Sequence, residues 1–288
     1  MSVLRWPALK TLLLLLCLSL LISACSRAGL AYRNLDWLVP WRLNDYLNLD
    51  SQQQAWLKPR LQRHLQWHCS AELPRYIDWL QSTESILAQP QPDSAQLLEQ
   101  FAQFDAALKR IGVEVTPTAI ELLQGLSEQQ VSDLYTALDE DNLEDRQDFL
   151  DPPLVTQINE RQMRMQERLR SWLGRLNEAQ TEHIVSWANG LGEQNRLWLE
   201  NRQLWQAELR KIVAERNSTD FAERLTRLLQ QRESFYSDEY RASYGRSRQA
   251  LATLFSQLLS SSDEAQRERL SHRLRDLRRD LAEQQCSA

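Results

Sequence analysis

Little in this sequence would break or bend a helix. Glycine occurs 7 times and proline 9 times in 288 residues. Phosphate loops, dinucleotide-binding turns and nucleophile elbows each need clustered glycines, and no such motif is present. β-Branched residues are scarce as well: 8 Ile and 8 Val stand against 52 Leu, a bias toward helix formers over strand formers. No Gly/Ser linker or low-complexity block divides the chain. The expected fold class is therefore all-α: an elongated multi-helix bundle of about 8 to 10 helices. It should form a single domain over residues 35–288, with candidate lobes 35–150 and 151–288 meeting at Asp151-Pro152-Pro153.

What is present at the start reads as a targeting signal over residues 1–24. Arg5 and Lys10 supply the positive flank, Leu12 to Ile22 the apolar run, and Ser23-Ala24 the small residues before a cysteine. That run is shorter than the roughly 20 apolar residues a membrane span requires. Ile22-Ser23-Ala24-Cys25 resembles the bacterial lipobox, which implies lipidation of Cys25 as the new N-terminus. Ordinary secretory cleavage near Ala24, leaving Cys25 a free thiol, is the alternative. Ser26 follows the cysteine, and in lipoproteins of Gram-negative bacteria that resemblance implies an outer-membrane location facing the periplasm. Residues 25–34 form a short tether: Ser26 to Asn34 reaches roughly 30 Å when fully extended. A protein held so close to a bilayer could dip Trp37, Trp41 and Tyr46 into the interface. The expectation, however, is that they pack on the body.

Losing Arg5 and Lys10 with the leader leaves 32 basic residues against 39 acidic, a net charge of −7. A nucleic-acid partner would call for a basic face, so none is expected. Cys17 leaves with the leader and Cys25 carries lipid, so Cys69 and Cys286 remain as a candidate disulfide in an oxidising periplasm.

The helices can be traced by their stripes and starts. Asp50 with Gln53 reads as a capping box. Leu57, Leu61, Leu65, Cys69, Leu73 and Ile77 then recur every four residues, passing Pro59 and Pro74 without a change of phase. This predicts one long N-terminal helix, kinked at its prolines. Asp93 or Ser94 opens a helix striped Leu97, Phe101, Phe104, Leu108 and Ile111, which Gly112 should stop. Thr116-Pro117 should start a new, short one. The acidic run Asp139 to Asp148 reads as a solvated face and loop. Ser261 with Glu264 is expected to cap the last helix, striped Leu270, Leu274, Leu277 and Leu281.

Three helix starts share a cassette: Leu49-Asp50-Ser51-Gln52-Gln53, Leu126-Ser127-Glu128-Gln129-Gln130 and Leu176-Asn177-Glu178-Ala179-Gln180. Leucine precedes a capping side chain, and glutamine follows it by three. As local chemistry, the cassette is worth about 1 kcal/mol per cap. It also resembles the Leu-Thr-x-x-Gln motif of Spy-type periplasmic chaperones, with threonine replaced here by Asp, Ser and Asn. A second resemblance rests on Asp36-Trp37, Trp41, Asn44-Asp45-Tyr46, Leu49, Gln53, Trp67-His68 and Glu72-Leu73-Pro74-Arg75-Tyr76. These residues look like the N-terminal signature of a family of uncharacterised helical lipoproteins from Gram-negative proteobacteria. Cys69 departs from it, because a basic residue commonly follows the Trp-His there. That resemblance implies location and fold, and brings no activity, cofactor or ligand.

The candidate chemistry is confined to one stretch. His64, His68 and Glu72 lie four apart on one helix face and could ligate zinc, although no His-Glu-x-x-His is present. The other expectation is a hydrogen-bonded node at the Pro74 kink, made by Trp67, His68, Glu72, Arg75 and Tyr76, in which Glu72 partners His68 or Arg75. Near the C-terminus, Arg273, Arg275, Arg278 and Arg279 could face lipid headgroups or an acidic partner. Pairing with Asp276, Asp280 and Glu283 is the expected use. No cofactor is expected and no catalytic residue is identified. The functional expectation is a non-enzymatic, lipid-anchored binding, chaperone-like or scaffolding protein with a protein partner in the envelope. The alternative is a metal-dependent protein built on His64, His68 and Glu72.

Overall fold

The structure, a computed structural model, describes Tyr32, residues 34–284 and Cys286. Residues 1–31, with the leader and the candidate lipidation site Cys25, lie outside the described residues. Eleven α-helical segments follow one another, and no strand occurs among the described residues. They are α1 (Leu35–Leu47), α2 (Ser51–Trp67), α3 (Leu73–Leu87), α4 (Ser94–Gln124), α5 (Glu128–Phe149) and α6 (Leu154–Leu173). Then come α7 (Glu178–Gly190), α8 (Gln194–Ala214), α9 (Phe221–Gln230), α10 (Asp238–Ser260) and α11 (Glu264–Ala282). A π turn, His68–Glu72, joins α2 to α3, so these two are one continuous helix and the protein is an all-α bundle.

Four helices begin with a complete capping box, in which the cap side chain accepts from the third residue and the glutamine there accepts in return. The pairs are Asp50–Gln53, Ser127–Gln130, Asn177–Gln180 and Asp263–Gln266. The last replaces the expected Ser261–Glu264 pair. Both readings satisfy the local rule. The observed one also lets Gln266 exchange hydrogen bonds with Gln180 at 2.9 and 3.0 Å. Gln53 and Gln130 exchange the same pair of bonds at 3.0 and 2.6 Å.

Apolar stripes close the bundle. Leu47 and Leu49 around the first turn, Leu57 of α2, Leu122 of α4, Leu134 of α5, Ile212 of α8 and Phe221 and Leu225 of α9 share the largest core. A second core joins Leu169 and Leu173 of α6 to Ile184 of α7 and to Leu254 and Leu258 of α10. A third brings Ile86, Leu97 and Ala252 together. The first core draws on both sides of Asp151-Pro152-Pro153, and α11 packs on α3 across the whole chain. Packing therefore runs across the boundary at that proline pair.

Two expected breaks are absent. α4 runs unbroken through Gly112 and Pro117 for 31 residues. At Gly112 the helix passes the Leu229 carbonyl of α9, which an added Cβ would meet at 3.6 Å, an ordinary contact. The acidic run is also helical, as the second half of α5. Asp139 meets Arg210 at 2.6 Å, while Asp141 and Asp145 pair with Arg202 of α8. Gly174, at φ +81°, ends α6 in a conformation that side chains rarely adopt.

Candidate functional site

Pro74 lies in the first turn of α3. In an unbroken α-helix its ring would press on the Ser70 carbonyl four residues back. Widening the turn relieves that conflict: the Leu73 N–H donates to the His68 carbonyl, five residues back. The widened turn gathers side chains from both ends of the described chain.

His68 is the hub on one side. Its Nδ1 lies 3.2 Å from the Tyr32 hydroxyl and its Nε2 3.2 Å from the Tyr76 hydroxyl. The Trp67 ring stands edge-on beside it, at 6.4 Å between centroids. Burial holds the His68 pKa below its ordinary value, with Glu72 opposing. The imidazole is therefore neutral at pH 7, accepting from one tyrosine and donating to the other. The next residue, Cys69, is disulfide-bonded to Cys286, with Cα atoms 5.5 Å apart. Tyr32 and Cys286, near opposite ends of the chain, are thus fastened to neighbouring residues of one turn.

Glu72 faces inward, only 1% exposed. Arg110 of α4 clamps it with both ends of its fork: Nε to Oε1 at 2.7 Å and Nη2 to Oε2 at 2.8 Å. Arg75 stands off at 3.7 Å. Hydrogen bonding from Arg110 outweighs burial and draws the Glu72 pKa below the ordinary carboxylate value. So the principal partner of Glu72 is neither His68 nor Arg75, as local spacing suggested, but a residue 38 positions away. A carboxylate beside buried Leu73 signals that a cation must exist. Nothing in the sequence says which of 30 arginines supplies it. Tyr32 was likewise unmarked.

The zinc array does not assemble. His64 turns toward α4, with Nδ1 3.0 Å from Glu114 and Nε2 2.8 Å from the Thr118 hydroxyl. His64, His68 and Glu72 thus point at three separate sets of partners. No group of three or more His, Cys, Asp or Glu suited to a metal ion occurs among the described residues.

Beside the clamp runs an open groove of about 530 Å³, between the π turn and α4. Trp67, Ala71, Ala106 and Val113 give it apolar walls; Arg75, Lys109 and Arg110 bring positive charge, and Glu72, held by Arg110, and Glu114 bring negative charge. Half of Val113 is exposed. At the far end of α3, Arg275 and Arg278 of α11 each reach Glu84 at 3.3 Å, and Arg279 pairs with Asp276 at 3.0 Å.

Fold and site together define an all-helical protein in which a polar junction ties Tyr32 and Cys286 to a π turn. Residues 45–241 match a family of unknown function (DUF6279), more than half of the chain, and the protein belongs to that family. The matched region contains the π turn and Arg110, whereas Tyr32 and Cys286 lie beyond it. No curated protein and no solved structure matches.

Proposed function

We propose that this is a lipid-anchored protein of the Gram-negative outer membrane, facing the periplasm, that works by binding another envelope protein rather than by catalysis. The observation that carries the reading is the commitment of His64, His68 and Glu72 to separate structural partners, beside an open groove with apolar walls and charges of both signs, Arg75 the exposed cation among them. Such a groove suits a protein segment carrying an apolar side chain and a carboxylate. The anchor rests on Ile22-Ser23-Ala24-Cys25 with Ser26, and the Cys69–Cys286 bridge fits an oxidising compartment. The likeness of the capping cassettes to Leu-Thr-x-x-Gln supports a chaperone-like or scaffolding use of the groove.

Two measurements test the reading. Mass spectrometry of the N-terminal peptide should find acyl chains on Cys25; an unmodified thiol would remove the anchor. Pull-down after in-cell crosslinking should recover a reproducible envelope protein with the wild-type chain and lose it with Val113→Arg. Equal recovery with that variant would exclude the groove.

A further inference from the structure

α1 has two unlike faces. Leu43, Tyr46 and Leu47 pack against the largest core, and the Tyr46 hydroxyl bonds Asp141 of α5. On the other side Trp37 and Trp41, one turn apart, are 61% and 55% exposed. Their rings lie 6.1 Å apart at an interplanar angle of 11°. The expectation that all three aromatic residues pack inward holds for Tyr46 alone. The outer face is also graded along its length, with Trp37 and Trp41 in the first half and exposed Asn44, Asp45 and Asn48 at the far end.

The tether decides what the indoles can reach. Tyr32 is fixed on His68, and only six residues, 26–31, separate it from Cys25. The seven steps from Cys25 to Tyr32 span at most about 25 Å when extended. Trp37 begins the outer face five residues beyond Tyr32, so the aromatic half of α1 is the half nearest the anchor.

We propose that Trp37 and Trp41 sit in the headgroup layer of the membrane that holds Cys25, as a second contact that orients the body. This rests on the lipid anchor proposed above. Indole suits that layer, because its ring favours the apolar boundary while its N–H stays hydrated. The grading along α1 sets the tilt, with the tether end down and the Asn44–Asn48 end in water. Among the described residues, Arg42 beside Trp41 is already paired with Asp45 and Tyr46. The contact proposed is the one the indoles make, which needs neither anionic lipid nor low salt.

The test uses the full acylated chain in phosphatidylcholine vesicles, with and without bromine on the acyl chains near the headgroups. Bromine should quench part of the tryptophan emission of the wild-type chain, equally at low and high salt. Trp37→Ser/Trp41→Ser should lose most of that quenching, while Trp37→Tyr/Trp41→Tyr should still bind the vesicles in the wild-type orientation, read as unchanged protease protection of α1. If the acylated chain floats with vesicles but wild type and the serine variant are quenched alike, the inference fails and the anchor stands. That result would leave the indoles to a protein partner. A chain that carries no acyl group and does not float would overturn both.

Discussion

Gln53 and Gln130 face each other with their side-chain amides, each donating to the other's oxygen, at 3.0 and 2.6 Å. Each also accepts from the backbone N–H of its own cap residue, Asp50 or Ser127. Gln180 and Gln266 repeat the arrangement at the other end of the sequence. One residue type thus closes a capping box and joins two helix starts.

The glutamine pairs predict non-additivity. Gln53→Ala should destabilise the fold by about 1–2 kcal/mol, since it removes a cap and leaves part of Gln130 unsatisfied. Gln53→Ala/Gln130→Ala should cost less than the two single changes together, by roughly 0.5–3 kcal/mol. Urea midpoints of the four proteins measure this directly. Strict additivity would show that the amides merely lie near each other.

The Glu72–Arg110 clamp predicts an asymmetry. Arg110→Ala leaves a buried carboxylate without its partner and should cost about 3–5 kcal/mol. Glu72→Gln leaves Arg110, which is partly exposed, and should cost less. Thermal unfolding of the two variants would contradict the clamp if their order were reversed.

Much of this architecture was legible in the sequence, because stripes and caps are local signals. The Leu57-to-Ile77 stripe, the Asp50, Ser127 and Asn177 boxes and the break at Asp151-Pro152-Pro153 needed no tertiary information. What failed was non-local. Gly112 reads as a stop and Pro117 as a start until packing carries α4 through both. Asp263–Gln266 overlaps an equally good Ser261–Glu264 box, and Gln180 distinguishes them. At the site, the stretch Trp67 to Tyr76 was identifiable, but Arg110 and Tyr32 come from distant positions that no spacing rule connects.

Acid should loosen the protein in two stages. The folded-state pKa of His68 lies below its ordinary value of 6.5, so just below that pH the unfolded chain takes up a proton that the folded chain refuses. Stability is therefore full above 6.5 and declines as pH falls. Glu72, also lowered, adds a second loss below its ordinary value of 4.5. Urea midpoints across this range should fall in both windows for the wild-type chain, and His68→Gln should remove the upper step. An unchanged upper step would assign it elsewhere.

The disulfide closes a sequence separation of 217 residues. On the chain-entropy model, such a loop is worth roughly 5 kcal/mol. Cys69→Ser/Cys286→Ser should lower the melting temperature and also expose α11 to proteolysis. Proteolysis of α11 at the wild-type rate would show that its packing on α3, with Arg275 and Arg278 at Glu84, holds it unaided.

The proposed function requires a protein partner held in the groove between the π turn and α4. Site-specific photo-crosslinking in intact cells tests it most directly, with a photoreactive residue at Val113 in the groove or at Met163, exposed on α6. A discrete heterologous adduct is expected from position 113, absent from position 163 and weakened by Arg75→Glu. No adduct at 113, or the same adducts from both positions, would contradict it.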